Sequence, residues 1–375
     1  MEVLHINSNY LTSRLHENLV GKLDSKGINN TIFMPIKNEK KAEFLYESKH
    51  AVHAPVTFRD MDKYIFTYKQ RKIRKKLIDT VNVSEFDMVH SHTLFTDGYV
   101  AYQLYKNYNI PYLVTVRGHT DIKQFFKLRF NLRGIGRKIL SSAARIVFLS
   151  ELNRKELLND YINNDDLRAD ILDKSVVLPN GIDDFWFENE GQPKQLPKNR
   201  PLRVIYVGKT MRLKNLLGTV RALNYLKKAH GIDSIYTSIG QELDKSYAKE
   251  VRSEVEMTYH ELAARPREEL ITHYRENDLF IMPSFSETFG LVYPEAMSQG
   301  LPVIYTKEQG FDGQFEDGLV GYPVDPRSSE DIVDKIMMIL NNYEDISKET
   351  LKSYKKFNWE DISYEYLDLY KEIVK

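Results

Sequence analysis

The chain contains no cysteine. That excludes disulfides, thiolate zinc sites and cysteine nucleophiles together, and it suits a reducing compartment. Net charge is also missing: Lys plus Arg and Asp plus Glu both number 53 in 375 residues. Without a global field, attraction to nucleic acid or to an acidic surface has to come from local patches. No apolar run approaches the ~20 residues that span a bilayer. The opening MEVLHI is strand-like and lacks the basic region and apolar core of a secretory signal, so a cytoplasmic protein is expected. NSNY, rather than a glycine-rich fingerprint, follows the first apolar run, which argues against a nicotinamide dehydrogenase. Internal repeats and low-complexity segments are lacking as well.

What the chain does have is alternation. The short β-like runs VLHI, TIFMPI, MVHSH, YLVTV, RIVFLS and SVVLP, then RVIYVG, LFIMPS and PVIYT, are separated by longer amphipathic stretches. This is the pattern of βαβ units and parallel sheets, an α/β fold. The length suits two domains, each with its own core. The polar, proline-rich ENEGQPKQLPKNRP, Glu188 to Pro201, is the best boundary, and a fresh strand, Arg203 to Val207, begins behind it. The expected division is 1–187, a linker at 188–201, and 202–359, with a cleft between the halves as the default ligand site.

The segment SETFGLVYPEAMSQGLPV, Ser286 to Val303, carries the most chemistry. Pro294 lacks a backbone N–H and clashes in a helix interior, so it belongs in a first turn, and the helix should begin close to Leu291. LFIMPS reads as a buried strand before it. At such a junction the N–H groups of Gly290, Leu291 and Val292 and the helix dipole favour an anion, and Gly290 lets backbone approach a ligand. Glu287 lies in the loop at the carboxyl end of the strand, where open α/β sheets place ligands. Glu295 reads equally as a first-turn carboxylate favourable to the helix dipole.

GKTMRLKN, Gly208 to Asn215, follows RVIYV and precedes the helical LLGTVRALNYLKK. Lys209, Arg212 and Lys214 therefore stand at the carboxyl edge of the second sheet. A unit charge pair at ~4 Å is worth about 4 kcal/mol at an effective dielectric near 20, enough for two lysines to hold a diphosphate. The alternative is an ordinary solvated basic loop.

GKTMRLKN, then LFIMPSFSETFGLVYPEAMSQGLPVI, then GLVGYPVDP, in that order and spacing, resemble the retaining glycosyltransferases of family 4, which have the GT-B fold. FDMVHSH, PYLVTVRG, IVFLS and LPNGID in the first half fit the same pattern, so the resemblance covers nearly the whole chain. The two-glutamate segment is its specific part. The resemblance implies two Rossmann-like domains with parallel sheets facing across a cleft. The N-terminal one would bind the acceptor and the C-terminal one the donor, with the last helix, residues 360–375, crossing back onto the first domain. It implies that Glu295 accepts hydrogen bonds from ribose, that Lys209 and Lys214 bind the diphosphate, and that Gly208 and Arg212 belong to the same loop. Glu287 would face the donor sugar together with the backbone of Phe289 and Gly290. The amides of Leu291 and Val292 would complete the phosphate site. No metal and no cofactor are implied.

Three departures from the family pattern stand out. Lys209 replaces the usual arginine, keeping the charge without the bidentate fork. Asn7, Ser8, Asn9 and Tyr10 stand where glycines are common, so the acceptor loop is expected to be shaped differently, with Asn9 among its possible contacts. Arg117, Gly118, His119 stand where a histidine often precedes glycine; Arg117 or His119 takes over the sugar contact, or Arg117 is structural. His90 and His92 point to one face of a strand, but no third ligand is evident, which favours packing over a metal. The Asn180–Gly181 pair reads as simple turn chemistry.

KQRKIRKK, Lys69 to Lys76, and KQFFKLRFNLRGIGRKIL, whose cations run from Lys123 to Lys138, are basic and free of acid, and the second interleaves Phe125, Phe126 and Phe130. They suggest an anionic membrane surface or a lipid-diphosphate acceptor, against the alternative of solvated helix faces with aromatics in the core. No recognition motif accompanies the charge, so nucleic acid is not expected. The resemblance implies transfer with retention from a nucleoside-diphosphate sugar, uridine being the commonest base among relatives. The acceptor would be a hydroxyl of a glycan or lipid-linked acceptor in cell-surface polysaccharide synthesis. Front-face displacement, with the leaving diphosphate taking the acceptor proton, is favoured over a covalent intermediate on Glu287. The competing readings are a nucleotide-sugar epimerase on the same architecture and a catalytically silent binding subunit.

Overall fold

Continuous apolar runs bounded by polar turns form strands buried on both faces, which is the situation of parallel sheets. A computed structural model describes residues 1–37, 47–196 and 199–375, apart from the side chains of Lys63 and His119. It divides the chain into two compact units, Met1–Asp183 with Trp359–Lys375, and Asp184–Asn358. The first is built on β1 (Glu2–Ile6), β2 (Asn29–Phe33), β3 (Ala51–His53), β4 (Met88–Ser91), β5 (Tyr112–Val116), β6 (Arg145–Phe148) and β7 (Ser175–Val177), ordered β3-β2-β1-β4-β5-β6-β7. The second uses β8 (Leu202–Val207), β9 (Ser234–Ile239), β10 (Thr258–Leu262), β11 (Leu279–Ile281), β12 (Val303–Thr306) and β13 (Gly321–Val324), ordered β10-β9-β8-β11-β12-β13. Every pairing in both sheets is parallel. The strand order reverses beside β1 and beside β8. The loops leaving β1 and β4, and those leaving β8 and β11, therefore flank the two switch points where such sheets bind ligands.

The expected linker is not a tether. Helix Asp184–Glu188 belongs to the second unit and buries Trp186 against Tyr274, ring centroids 5.7 Å apart. Gly191 N–H donates to the Ser298 carbonyl at 2.8 Å. Lys194 Nζ donates to the carbonyls of Arg275 and Asn277 at 2.6 and 2.8 Å. These are orphan carbonyls at the end of helix Arg267–Glu276, which a lysine satisfies well. A polar composition here marks capping rather than freedom.

The last helix, Trp359–Val374, buries Trp359, Ile362, Tyr366, Leu369 and Tyr370 at three- and four-residue spacing. They pack with Val3, Met88, Leu113 and Val147 of the first sheet. Gly181 is needed for more than a turn: a Cβ there would lie 2.5 Å from the Trp359 indole. The carboxyl half of the same sheet face is polar. His5 and His90 are register partners on β1 and β4. His5 Nδ1 is 3.0 Å from His92 Nε2, and His5 Nε2 is 2.7 Å from Asn30 Oδ1. His90 Nδ1 meets the Tyr370 hydroxyl at 2.6 Å and its Nε2 meets Thr115 Oγ1 at 3.1 Å. The His90 and His92 rings stack at 4.0 Å. His16 stands edge-on to His92, and Arg117 Nη2 lies 3.4 Å from His16 Nε2.

Burial without a carboxylate partner holds all four imidazoles neutral, with His5 lowered to about 4 and His16, His90 and His92 well below their ordinary value. The Arg117 guanidinium and the neighbouring imidazoles add to the effect on His16, His90 and His92, while Tyr366 and Tyr370 face the layer as neutral phenols. Folded pKa values below unfolded ones mean that the unfolded chain takes up protons first. The contribution of these imidazoles is therefore intact above pH 6.5 and lost as pH falls from there to about 4. His5 alone contributes about 3 kcal/mol to that loss. In a pH series of thermal melts His5→Gln should lose less stability than the wild type between pH 6.5 and 4. This difference stands apart from the opposite contribution of the buried carboxyls Asp97 and Asp121, raised to about 7 and 6. An unchanged slope would place the acid sensitivity elsewhere.

Candidate functional site

At the switch point of the second sheet, one asparagine ties its own loop to two others. β8 ends at Val207, and Gly208 turns the chain where a Cβ would lie 2.7 Å from the Tyr206 hydroxyl oxygen. That hydroxyl donates to the Lys209 carbonyl at 2.9 Å. A single turn, Arg212–Lys214, leads to Asn215 in the left-handed region, φ 55° and ψ 43°. Asn215 Oδ1 caps the next helix by accepting from Gly218 N–H at 3.2 Å. Its Nδ2 donates to the carbonyls of Pro283 and Pro326 at 2.9 and 2.7 Å. Phe285 N–H adds a bond to the Leu213 carbonyl at 2.9 Å. The loop after β8 is thereby fixed to the loops after β11 and β13.

This brings Lys214 and Glu287 together, Nζ to Oε2 at 2.6 Å, both largely shielded from solvent. Glu287 Oε1 accepts from Thr288 N–H at 3.0 Å, and Glu287 N–H donates to Gln309 Oε1 at 3.1 Å. Gly290, at φ 81°, turns the chain where a Cβ would lie 2.4 Å from the Tyr293 ring. The short helix Val292–Met297 follows, with Pro294 in its first turn as its chemistry requires. The N–H groups of Gly290, Leu291 and Val292 find no acceptor among the described residues. One cation and three free backbone donors converge on this edge, an arrangement suited to an anion.

The other candidates scatter. Lys209 is exposed. Arg212 is turned away from Glu287, paired with Glu250 at 2.7 Å and laid over the Tyr247 ring at 5.0 Å. Phe289 buries its ring against Phe357, which leaves only its backbone to face a ligand. Glu295 lies beside Tyr274, whose phenol is pushed up first by burial and then by the Glu295 charge.

In the first unit, the loop after β1 is shaped by side chains where glycines are absent. Ser8 N–H and Oγ both donate to Asp97 Oδ1, at 3.2 and 2.5 Å, and Asn9 N–H donates to Asn7 Oδ1 at 3.0 Å. Asp97 is raised to about 7 by burial, against the lowering effect of Ser8 and Thr93. Asp121, raised by burial to about 6, accepts from Arg117 N–H at 2.8 Å and from Leu94 N–H at 3.0 Å. Arg117 Nε donates to the His92 carbonyl at 2.8 Å, so this guanidinium is partly engaged inside its own unit. The His119 side chain lies outside the described residues. Asp97 and Asp121 were not evident from the sequence; Asp97 precedes the helix Gly98–Tyr108, a position whose signal is N-capping.

One reading needs correction, and one pair of alternatives is decided. A third imidazole does exist near His90 and His92: His5, on the adjacent strand, brings three ring nitrogens within 4.8 Å of one another. The nitrogens of His5 and both of His90 are already bonded to His92, Asn30, Tyr370 and Thr115. A cation would have to displace those partners. Of the interleaved aromatics, Phe125 and Phe126 are core residues, with Phe125 stacked on Phe95 at 4.5 Å, and only Phe130 is exposed.

Comparison with known proteins follows the same division. Residues 13–184 match the family model Glycosyltransferase Family 4, and residues 188–357 match Glycosyl transferases group 1. An uncharacterized glycosyltransferase of Methanocaldococcus jannaschii is 24% identical over 344 residues, covering 90% of this chain and 87% of that protein. The solved sucrose-phosphate synthase of Thermosynechococcus elongatus superposes with a TM-score of 0.76 at 18% identity, over 99% of this chain and 98% of that one. Anabaena HepE in complex with UDP gives 0.75 at 15% identity, over 98% and 99%. Both structures share the fold of this chain.

The clamp is testable through Asn215→Asp, which keeps the cap on Gly218 but cannot donate to Pro283 or Pro326. It should cost about 2–4 kcal/mol in urea unfolding of the second unit, close to the cost of Asn215→Ala. Wild-type stability in Asn215→Asp would show that the two carbonyl bonds contribute nothing.

Proposed function

This chain belongs to the glycosyltransferases of family 4 and has the GT-B fold, and we propose that it transfers a hexosyl group from a UDP-sugar, with retention of configuration. The acceptor in this reading is a hydroxyl of a glycan or lipid-linked acceptor, in cell-surface polysaccharide synthesis on the cytoplasmic side. The carrying observation is the Lys214–Glu287 pair beside the free amides of Gly290, Leu291 and Val292. Uridine is the first base to test because HepE, a neighbour in fold, is solved with UDP.

In the proposed reaction the diphosphate sits on those amides, with Lys214 and Lys209 as its cations and Glu295 as the ribose acceptor. The bond from the anomeric carbon to the diphosphate oxygen breaks while the acceptor oxygen bonds to the same face of that carbon. The acceptor proton passes to a diphosphate oxygen. Glu287 already accepts from Lys214 and from Thr288 N–H, which favours a role holding sugar hydroxyls over attack on the anomeric carbon. Charge on the leaving group is met by fixed donors, so no metal is required. Contact with an anionic membrane through the Lys69–Lys76 and Lys123–Lys138 regions is part of the same reading.

Thermal melts with UDP, GDP and ADP test the donor site. A diphosphate at about 100 times its dissociation constant adds about 2.7 kcal/mol. UDP should raise the melting temperature selectively, and Lys214→Ala and Glu295→Ala should each remove most of the shift. If no diphosphate stabilises the wild type, the donor reading fails. Stabilisation by UDP with no turnover on any glycan acceptor would favour a silent binding subunit.

A further inference from the structure

The most exposed large apolar side chains of the described chain are not scattered. Met61, Tyr64, Ile65, Leu128 and Phe130, between 61% and 75% exposed, exceed every other large hydrophobic among the described residues. They come from two segments far apart in sequence that the first unit brings together. The turn Asp60–Tyr64 runs into helix Phe66–Thr80, and the Phe66 ring lies edge-on to Phe125 at 6.1 Å. Phe125 in turn sits three residues before Leu128 and carries the Arg129 guanidinium over its ring at 4.8 Å. Buried Phe125 and half-buried Phe66 thus join the two segments from which the apolar tips project.

The two segments that carry the tips are also rich in cations. Residues 59–76 contain eight Lys or Arg against two Asp, and residues 123–138 contain six and no acid. Both aspartates are already engaged: Asp60 pairs with Lys37, and Asp62 with Lys72 at 2.8 Å. Lys69 lies over the Phe58 ring at 4.2 Å, while Arg71, Lys75, Lys76 and Lys127 are exposed. Apolar tips within a basic field match the interface of an anionic bilayer, where side chains enter the acyl boundary and cations meet the headgroups. A solvated helix face explains the cations but not why Met61, Ile65, Leu128 and Phe130 are the apolar side chains left so exposed.

We infer that Met61, Tyr64, Ile65, Leu128 and Phe130 form one insertion surface that docks the first unit on an anionic lipid bilayer, with Arg71, Lys75, Lys76 and Lys127 among the cations that hold it there. This deepens the membrane contact proposed above. Its use in glycosyl transfer rests on that reading, while the docking itself does not. The inference also reassigns the contact, since the two basic segments act as the rim and the apolar tips as the anchor.

The test is co-sedimentation of the full chain with phosphatidylcholine vesicles and with vesicles that also contain phosphatidylglycerol, at low and high salt. Binding should require phosphatidylglycerol and weaken with salt. The variant Ile65→Ser, Leu128→Ser, Phe130→Ser should bind anionic vesicles about tenfold more weakly, from the apolar area removed. Arg71→Glu, Lys75→Glu, Lys127→Glu should abolish the preference for anionic lipid. Far-UV circular dichroism and the UDP thermal shift, measured on the same samples, separate a folding defect or a failed donor reading from a docking defect. Equal binding of wild type and apolar variant overturns the insertion surface. So does a self-associated wild type that light scattering shows becoming monomeric in the apolar variant without any vesicle binding.

Discussion

The second unit depends on how one amide side chain distributes its hydrogen bonds. Asn215 sits in a backbone region that few residues accept, and it offers an acceptor to the helix that follows and two donors to carbonyls of distant prolines. Both proline carbonyls lie in irregular loops without a sheet ladder to satisfy them. The placement of Lys214 against Glu287 follows from this, because the lysine immediately precedes the clamp and the glutamate lies four residues beyond Pro283. A hydrophobic residue at position 215 would leave the loops to find separate positions. Gly290 contributes the other fixed element by allowing the chain to turn sharply beneath the Tyr293 ring.

The first unit meets the same architectural problem differently. Its loop after β1 lacks glycine and is held by a buried carboxylate, Asp97, that takes both donors of Ser8. The sheet face below carries neutral His5 and His90 in place of aliphatic side chains, and they meet His92 just beyond β4 and His16 from helix Leu15–Asp24. Burying polar rings is costly unless their nitrogens are bonded. Asn30, Thr115 and Tyr370 supply those bonds, and Tyr370 comes from the last helix. The arrangement trades some apolar contact for directional bonds that fix the helix in register on the sheet.

Much of this was legible in the sequence, and the failures have physical causes. The parallel strands were visible wherever both faces are buried, as in LFI and VIYT. β10, TYHEL, was invisible because an exposed edge strand has no apolar run to display, and β9 was hidden by Ser and Thr in its interior. Pro294 located its helix correctly because proline chemistry is local. The partnership of Lys214 with Glu287 was foreshadowed only as a shared sheet edge. The diversion of Arg212 to Glu250 and the role of Asn215 depend on residues 35 or more positions away in the cited contacts, which no local pattern encodes. Phe125 and Phe126 stayed undecided in the sequence because interleaving with cations looks the same whether a ring faces solvent or core. His5 was passed over because its partnership with His90 and His92 arises across a strand pair.

The last helix has a consequence for how the protein is made. Residues Trp359–Lys375 belong to the unit that begins at Met1, and all of Asp184–Asn358 is synthesised between the two parts. On the ribosome, the first unit's seven strands emerge before the second unit, but one face of their sheet lacks Trp359, Ile362, Tyr366 and Tyr370 until the helix Trp359–Val374 has left the exit tunnel. Domains usually mature in the order of synthesis. Here the later unit has its complete sequence first, and the earlier one waits with Val3, Met88, Leu113 and Val147 uncovered. A nascent chain thus exposes this apolar sheet face while the second unit is made, and the helix Trp359–Val374 is what covers it.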